Sequence, residues 1–393
     1  MKEVPLQIAP LYYADLIRVK YNLGDVFYFD LWPIGLQFLI VVDPDVTNQL
    51  IVKDSTDKYS LVKLFMRFLV GSPVNLLSSD GHTWAKLRRL FNPGFVSSHL
   101  NTLIPNIIDD CRVFCRILER HAQRGDVFRL EEAATLLTID VIGHAILDTA
   151  INSQSGETEL AAAIVDQVAW IPQARPHRPW EVLNPMFLHK MWWNNHEMDS
   201  YISRILEERF STRHSRDTSK HVVDLALEAH LNEHRPSTKS AVELDPQFKK
   251  DATCQVKTLM FAGHDTVSGT ICYAYHLLNK NPDKLAKIWA EHDDIFGTDP
   301  EAAAERMKAS PNVLNKVESN GKLMGSLRRP TCSWPSHWPR SWVGAETSWP
   351  SVCTRESSRP ILETILTGMS IFPHCVSPAA SRWRKRRNRD VAN

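Results

Sequence analysis

Phe261-Ala262-Gly263-His264-Asp265-Thr266 lies inside a run from about Leu244 to Leu278 whose apolar residues keep a helical period. Val256, Leu259, Met260, Ile271, Ala274 and Leu277 recur at three- and four-residue steps, which predicts one long central helix over about 244–278. Polar residues break that pattern where Gly263, Asp265 and Thr266 fall together. A glycine inside a helix costs roughly 1 kcal/mol against alanine. A threonine can bond a carbonyl one turn back and bend the helix. An acid between apolar turns is a buried charge with no obvious partner. Stability alone does not recommend this combination. Two readings stay open: a core helix with a Gly/Thr kink and an Asp that reaches solvent, or a helix opened against a flat ligand. In the second, hydroxyl and carboxyl are set to pass protons inward.

Working outward, the 393 residues carry a net charge of +1, so no global field argues for a nucleic-acid partner. A hydrophobic content of 43 % and a charged content of 23 % are those of a soluble globular protein. Seven cysteines, an odd number with no C-x-x-C pair, form neither a disulfide framework nor a zinc site, and no metal is expected on protein ligands alone. A reducing compartment follows. No run of about 18 apolar residues is long enough to span a bilayer, and the N-terminus lacks a signal-peptide core.

The β-rich runs Asp25–Leu31 and Phe38–Val42 flank Trp-Pro-Ile-Gly, a hairpin signal. Asp43-Pro44-Asp45 caps a helix through about Val52, and Ser60–Val70 reads as another. Trp84 to Phe91 forms a helix stopped by Asn92-Pro93-Gly94. Trp84 and Arg88 stand four apart and share its face. An indole N–H and a guanidinium there are donors suited to carboxylates, although a plain cation–π pair satisfies the same spacing. Helices follow over Leu100–His121, with Cys111 and Cys115 in the core, over Leu130–Ile151, and over Leu188–Thr212. The proline-rich segment between Ile171 and Pro185 cannot be helical throughout, and Arg213–Pro246 reads as a polar connector. Asn281-Pro282 opens a helix that stops at Gly297.

Ala262-Gly263-x-Asp265-Thr266 on a long central helix resembles the oxygen-binding groove of the cytochrome P-450 family, the haem-thiolate monooxygenases. Trp84-x-x-x-Arg88 followed by Phe-Asn-Pro-x-Phe is similar to that family's C helix, whose Trp and Arg hold the haem propionates. The order central helix, Leu-Leu-Asn-Lys-Asn-Pro282, then Glu291-His-Asp-x-x-Phe-Gly297 is similar to its J-helix region. In look these motifs come nearest to filamentous-fungal members of sterigmatocystin and versicolorin pathways. The resemblance covers roughly Gly24 to Lys316. It implies a mainly α fold with a small β-sheet, truncated at both ends, and a partial domain over 1–316. By the same resemblance the proline-rich segment is a mobile substrate gate, while its composition is equally that of a plain surface connection.

The resemblance stops after Lys316. The family's K-helix Glu-x-x-Arg pair and its Phe-x-x-Gly-x-Arg-x-Cys-x-Gly haem loop have no counterpart in context. Glu356-Ser-Ser-Arg359 spells the first, but Pro360 follows at once and it stands 90 residues past Thr266. Cys375 lacks the flanking glycines and arginine. Residues 317–393 are expected to be a non-homologous, disordered tail, translated out of frame or through an intron. The basic run Arg382–Arg389 supports an alternative: a non-catalytic helical interaction protein that works through the tail.

What the resemblance implies is a haem-dependent monooxygenase acting on a small hydrophobic, polyketide-like intermediate of fungal secondary metabolism. Electrons would come from NADPH through a flavoprotein reductase. Trp84 and Arg88 would hold the cofactor, Ala262 and Gly263 would leave its face room, and Met260 and Phe261 would wall the pocket. Thr266 would position a water and Asp265 relay protons as a general acid. The proximal cysteine is not found, so the polypeptide is expected to be inactive. The family sits in the cytoplasm or on the cytoplasmic face of the endoplasmic reticulum. Without an anchor in this sequence, membrane attachment is in doubt.

Overall fold

The computed structural model describes residues 10–30, 37–53, 57–156, 158–170, 183–212, 222–233 and 244–317. The proline-rich segment 171–182 and residues 318–393, with Cys375, the Glu356–Arg359 pair and the basic run, lie outside them.

A helix absent from the sequence reading, α1 (Pro10–Tyr21), precedes the expected hairpin of β1 (Val26–Asp30) and β2 (Gln37–Val41). The strands pair antiparallel, Val26 opposite Val41 and Asp30 opposite Gln37. Asp43 then caps α2 (Pro44–Asn48) by accepting from the Val46 N–H at 2.8 Å, with Pro44 at the first helical position. The helix continues to Lys53 as a π-helical turn rather than as the single α-helix expected. α3 spans Ser60–Val70, as its period predicts, and stops on Gly71 at φ 77°. α4 (Gly81–Phe91) passes into a 3-10 turn at Asn92–Phe95, where Gly94 lies so close to Val222 that a Cβ would fall 2.9 Å from its Cα.

α5 (Ser97–Arg124) and α6 (Leu130–Leu147) follow. α6 ends four residues before the expected Ile151 because Asp148 turns left-handed, at φ 48°. α7 (Glu159–Trp170), α8 (Pro185–Thr212) and α9 (Val222–Glu233) come next, and α9 occupies the stretch expected to be mere connector. The central helix α10 spans Pro246–Lys280, two residues later at each end than expected. Asp245 starts it by accepting from the Gln247 and Phe248 N–H groups. α11 (Pro282–Phe296) and α12 (Pro300–Ala309) close the helical series.

The described chain forms two compact units, residues 10–87 with 163–200 and residues 88–162 with 201–317. In the first, the carbonyls at the end of α3 are satisfied by amides. Gln167 donates to Phe68 O at 2.8 Å and Leu69 O at 2.9 Å, and Asn195 donates to Phe68 O at 3.0 Å. The Phe68 and Phe187 rings meet edge to face at 5.4 Å.

In the second unit α6 lies between α5 and α10. Cys111, Phe114, Cys115, Leu118, Ala134 and Leu137 form a core cluster there, which confirms the core placement of the two cysteines. Asp140 is 3 % exposed yet fully bonded: it accepts from Ser153 N at 2.7 Å and Gln154 N at 3.1 Å, tying the next loop to α6. His144 Nδ1 meets Asp110 Oδ2 across α5 and α6 at 2.8 Å. Arg209, near the end of α8, is 3 % exposed and pairs with Asp224 at 2.7 Å and with Asp148 at 3.0 Å.

Candidate active site

α10 changes character along its length. From Ala252 to Thr258 every residue is buried, whichever way it points, so this half is enclosed by protein. Beyond Leu259 one stripe opens: Ala262, Thr266 and Thr270 succeed each other at four-residue steps and are exposed, with Asp265, Val267 and Tyr273 beside them. The hydroxyls on the stripe are turned back on the helix. Thr266 Oγ1 donates to Ala262 O at 2.7 Å and Thr270 Oγ1 to Thr266 O at 2.8 Å. With its one proton so committed, the Thr266 oxygen presents lone pairs outward.

Asp265 sits on the exposed side, so the buried, partnerless carboxylate that the apolar pattern suggests does not exist. The buried polar residue is its neighbour His264, 3 % exposed, which the sequence reading passed over. The His264 ring takes Met260 O as partner at 2.8 Å, and Thr138 Oγ1 lies 3.0 Å from its carbonyl oxygen. Burial pulls the imidazole below its ordinary pKa, against the carbonyl hydrogen bond. His264 is thus a packing residue on the α6 side of the helix, and burial favours its neutral form.

Gly263 faces α6. A Cβ built there would fall 2.7 Å from Ile142 Cδ1, so its missing side chain lets the two helices approach. The room on the open side is left by Ala262. Met260 and Phe261, expected as pocket walls, are turned into the packed side at 1 % and 6 % exposure.

On α4, Leu87, Leu90 and Phe91 face inward, while Trp84 and Arg88 share the outer face as their spacing predicts. The cation at the Trp84 ring is not Arg88. It is Lys58, whose Nζ lies 5.9 Å from the ring centroid. Among the described residues no group bonds the Arg88 guanidinium or accepts from the Trp84 indole N–H. A surface groove of about 490 Å³ runs along α5, lined among others by Arg116, Arg120 and Gln154, and none of its lining residues belongs to α4 or α10.

Comparison with known proteins decides the family. The family model described as Cytochrome P450 matches residues 13–315. The chain belongs to the cytochrome P450 family. Two fungal relatives are cytochrome P450 monooxygenase polC of Polytolypa hystricis, 34 % identical over 77 % of this chain and 54 % of its own, and cytochrome P450 monooxygenase acrF of Aspergillus aculeatus, 32 % identical over 80 % of this chain and 62 % of its own. The chain therefore spans little more than half the length of these relatives. The crystal structure of the cytochrome P450DA heme domain superposes with a TM-score of 0.57 at 21 % identity, covering 73 % of this chain and 59 % of that one, which is a likeness of fold.

Cytochrome P450s use haem and receive electrons from a reductase. The open stripe of α10, with the small Ala262 on it and Val267 beside it, fits such a flat apolar group. No described cysteine suits a thiolate ligand. Cys111, Cys115 and Cys254 are buried in packing, and burial pushes the Cys272 thiol up to about 12. No described helix is long and apolar enough to cross a membrane.

Proposed function

We propose that this chain carries the distal, oxygen-handling half of a haem-dependent monooxygenase acting on a small hydrophobic, polyketide-like intermediate of fungal secondary metabolism. The single observation that carries the proposal is the open stripe Ala262–Thr266–Thr270, which follows a stretch of α10 enclosed over Ala252–Thr258, with Asp265 beside it. Haem, when bound through a cysteine thiolate, supplies the oxygen activation of this family.

The chain's own residues do the rest. Ala262 keeps the open face shallow at its position, because its side chain is a single methyl group. Thr266, its proton held by Ala262 O, accepts from a water and fixes it over that face. Asp265, exposed beside Thr266, is the group that relays protons from solvent to such a water, acting as a general acid. Trp84 and Arg88 offer an N–H and a guanidinium fork to the carboxylates at the cofactor's edge. Gly263 serves this site indirectly, by setting how closely α10 lies on α6.

Residues 317–393 stand outside the partial domain in this reading, which the end of the family match at residue 315 supports. They contain no haem-loop pattern, and the described cysteines are packing residues. The polypeptide of this sequence is accordingly proposed not to hydroxylate. A carbon monoxide difference spectrum of the reduced full chain with haem supplied tests the inactivity, with no thiolate-type Soret band as the expected result. Such a band would overturn it. Titration with haemin tests the site separately: Ala262→Phe is expected to weaken binding at least tenfold by filling the stripe, and unchanged binding would remove the site from α10.

A further inference from the structure

We propose that Lys58 is a positioning residue for the Trp84 indole, holding the ring so that its N–H faces a carboxylate of the bound cofactor. The inference rests on the cofactor reading of Trp84 given above. Lys58 lies 26 positions before Trp84, and no motif links them. The fold brings them together.

Four contacts define the arrangement. Lys58 Nζ donates to Ser79 O at 2.6 Å. Its backbone N–H donates to Asp80 Oδ1 at 3.0 Å. The Asp80 carboxylate is also paired with Lys63 at 2.8 Å. The ammonium then stands 5.9 Å from the Trp84 ring centroid. Both ends of Lys58 are therefore fixed, the main chain by Asp80 and the side-chain tip by a carbonyl. The tip bonds a neutral oxygen rather than a carboxylate, so its full charge remains to act on the ring. The Lys63 and Lys58 bonds also hold the Asp80 carboxyl below its ordinary pKa, so the anchor stays ionised.

An exposed tryptophan on a helix samples several rotamers, and fixing one rotamer is what a binding site needs. Trp84 is 40 % exposed, so packing alone does not hold it. The ammonium attracts the ring face and leaves the indole edge, where the N–H sits, free to donate. Lys58 touches no reacting atom in this scheme and acts only through Trp84.

The test is a haemin titration of the purified full chain, followed by Soret absorbance, with far-ultraviolet circular dichroism to confirm folding. Lys58→Met and Trp84→Phe are each expected to weaken haemin binding about threefold, the scale of an exposed cation–π contact. The double variant should be no weaker than Trp84→Phe alone, and Lys58→Arg should restore binding. If Trp84→Phe weakens binding while Lys58→Met does not, or if the two losses simply add, the positioning role is wrong and the cofactor reading stands. If Trp84→Phe has no effect, or the parent chain takes up no haemin, the cofactor reading fails and this inference with it. Should Lys58→Met lose its helical signal, Lys58→Gln supports the same comparison.

Discussion

Gly263 and Gly269 lie six residues apart on one helix, and the structure gives them opposite meanings. A Cβ at Gly263 meets Ile142, whereas at Gly269 nothing lies within 4 Å. Gly263→Ala is expected to lower stability by about 1 kcal/mol, the low end of overpacking because the clash is with a side-chain tip. Ile142→Val should relieve part of that loss. Gly269→Ala should instead raise stability by up to about 1 kcal/mol through helix propensity. Chemical denaturation of the three variants checks this, and equal effects at both glycines would contradict the packing described. The His144–Asp110 pair gives a second prediction at this scale. The Asp110 hydrogen bond holds the imidazolium above its ordinary 6.5, with burial working against it, while burial pushes the Asp110 carboxyl up. Asp140 on the same helix and Asp148 just past its end also raise His144. A raised folded-state value means the stabilisation is complete below pH 6.5 and is lost as pH rises through the higher folded value. His144→Gln should therefore flatten the loss of stability as pH rises past 6.5, measured by denaturant midpoint against pH.

At the scale of elements, polar side chains do much of the fastening between helices. Arg209 joins α8 to the left-handed end of α6 and to α9 through Asp148 and Asp224. Arg209→Met should cost roughly 2 kcal/mol, below the ~3–5 kcal/mol of a fully buried pair because both carboxylates are partly in water. Thermal unfolding reads this directly, and a neutral result would mean the pair contributes nothing net. The fastening of α12 to α5 is of a weaker kind. Arg112 bonds Glu301 at 2.7 Å and Glu305 at 2.9 Å, and Lys308 pairs with Asp109, all with exposed carboxylates that salt would screen. Two boundaries were legible from a breaker in the chain: Asn281-Pro282 and Gly71 each mark an end that the period alone would blur. The end of α6 was not, because an aspartate rather than a glycine takes the left-handed turn there, held by its pair with Arg209. α9 was missed because its twelve residues sit inside a polar stretch whose average composition hides them.

For the whole molecule, the α5–α6–α10 packing is expected to be the last part to open. Amide hydrogen exchange should be slowest over Ala134–Leu147 and Ala252–Phe261 and faster in β1–β2, where Tyr28 is 79 % exposed. Uniform exchange would contradict that order. By itself the sequence determined the helical class, the small hairpin, the central helix within two residues, and the family that its Ala-Gly-x-Asp-Thr and Trp-x-x-x-Arg words resemble. Those properties are written in local chemistry: period, caps, breakers and short motifs act within a few residues of one another. Which face of each helix meets protein was decided only by tertiary structure. His264 turns inward and Asp265 outward, Gly263 is spent on Ile142 rather than on the open face, and Trp84 finds Lys58 instead of Arg88. A helical period states that a face will be buried, but the partner that buries it comes from a distant part of the chain, and only packing selects it.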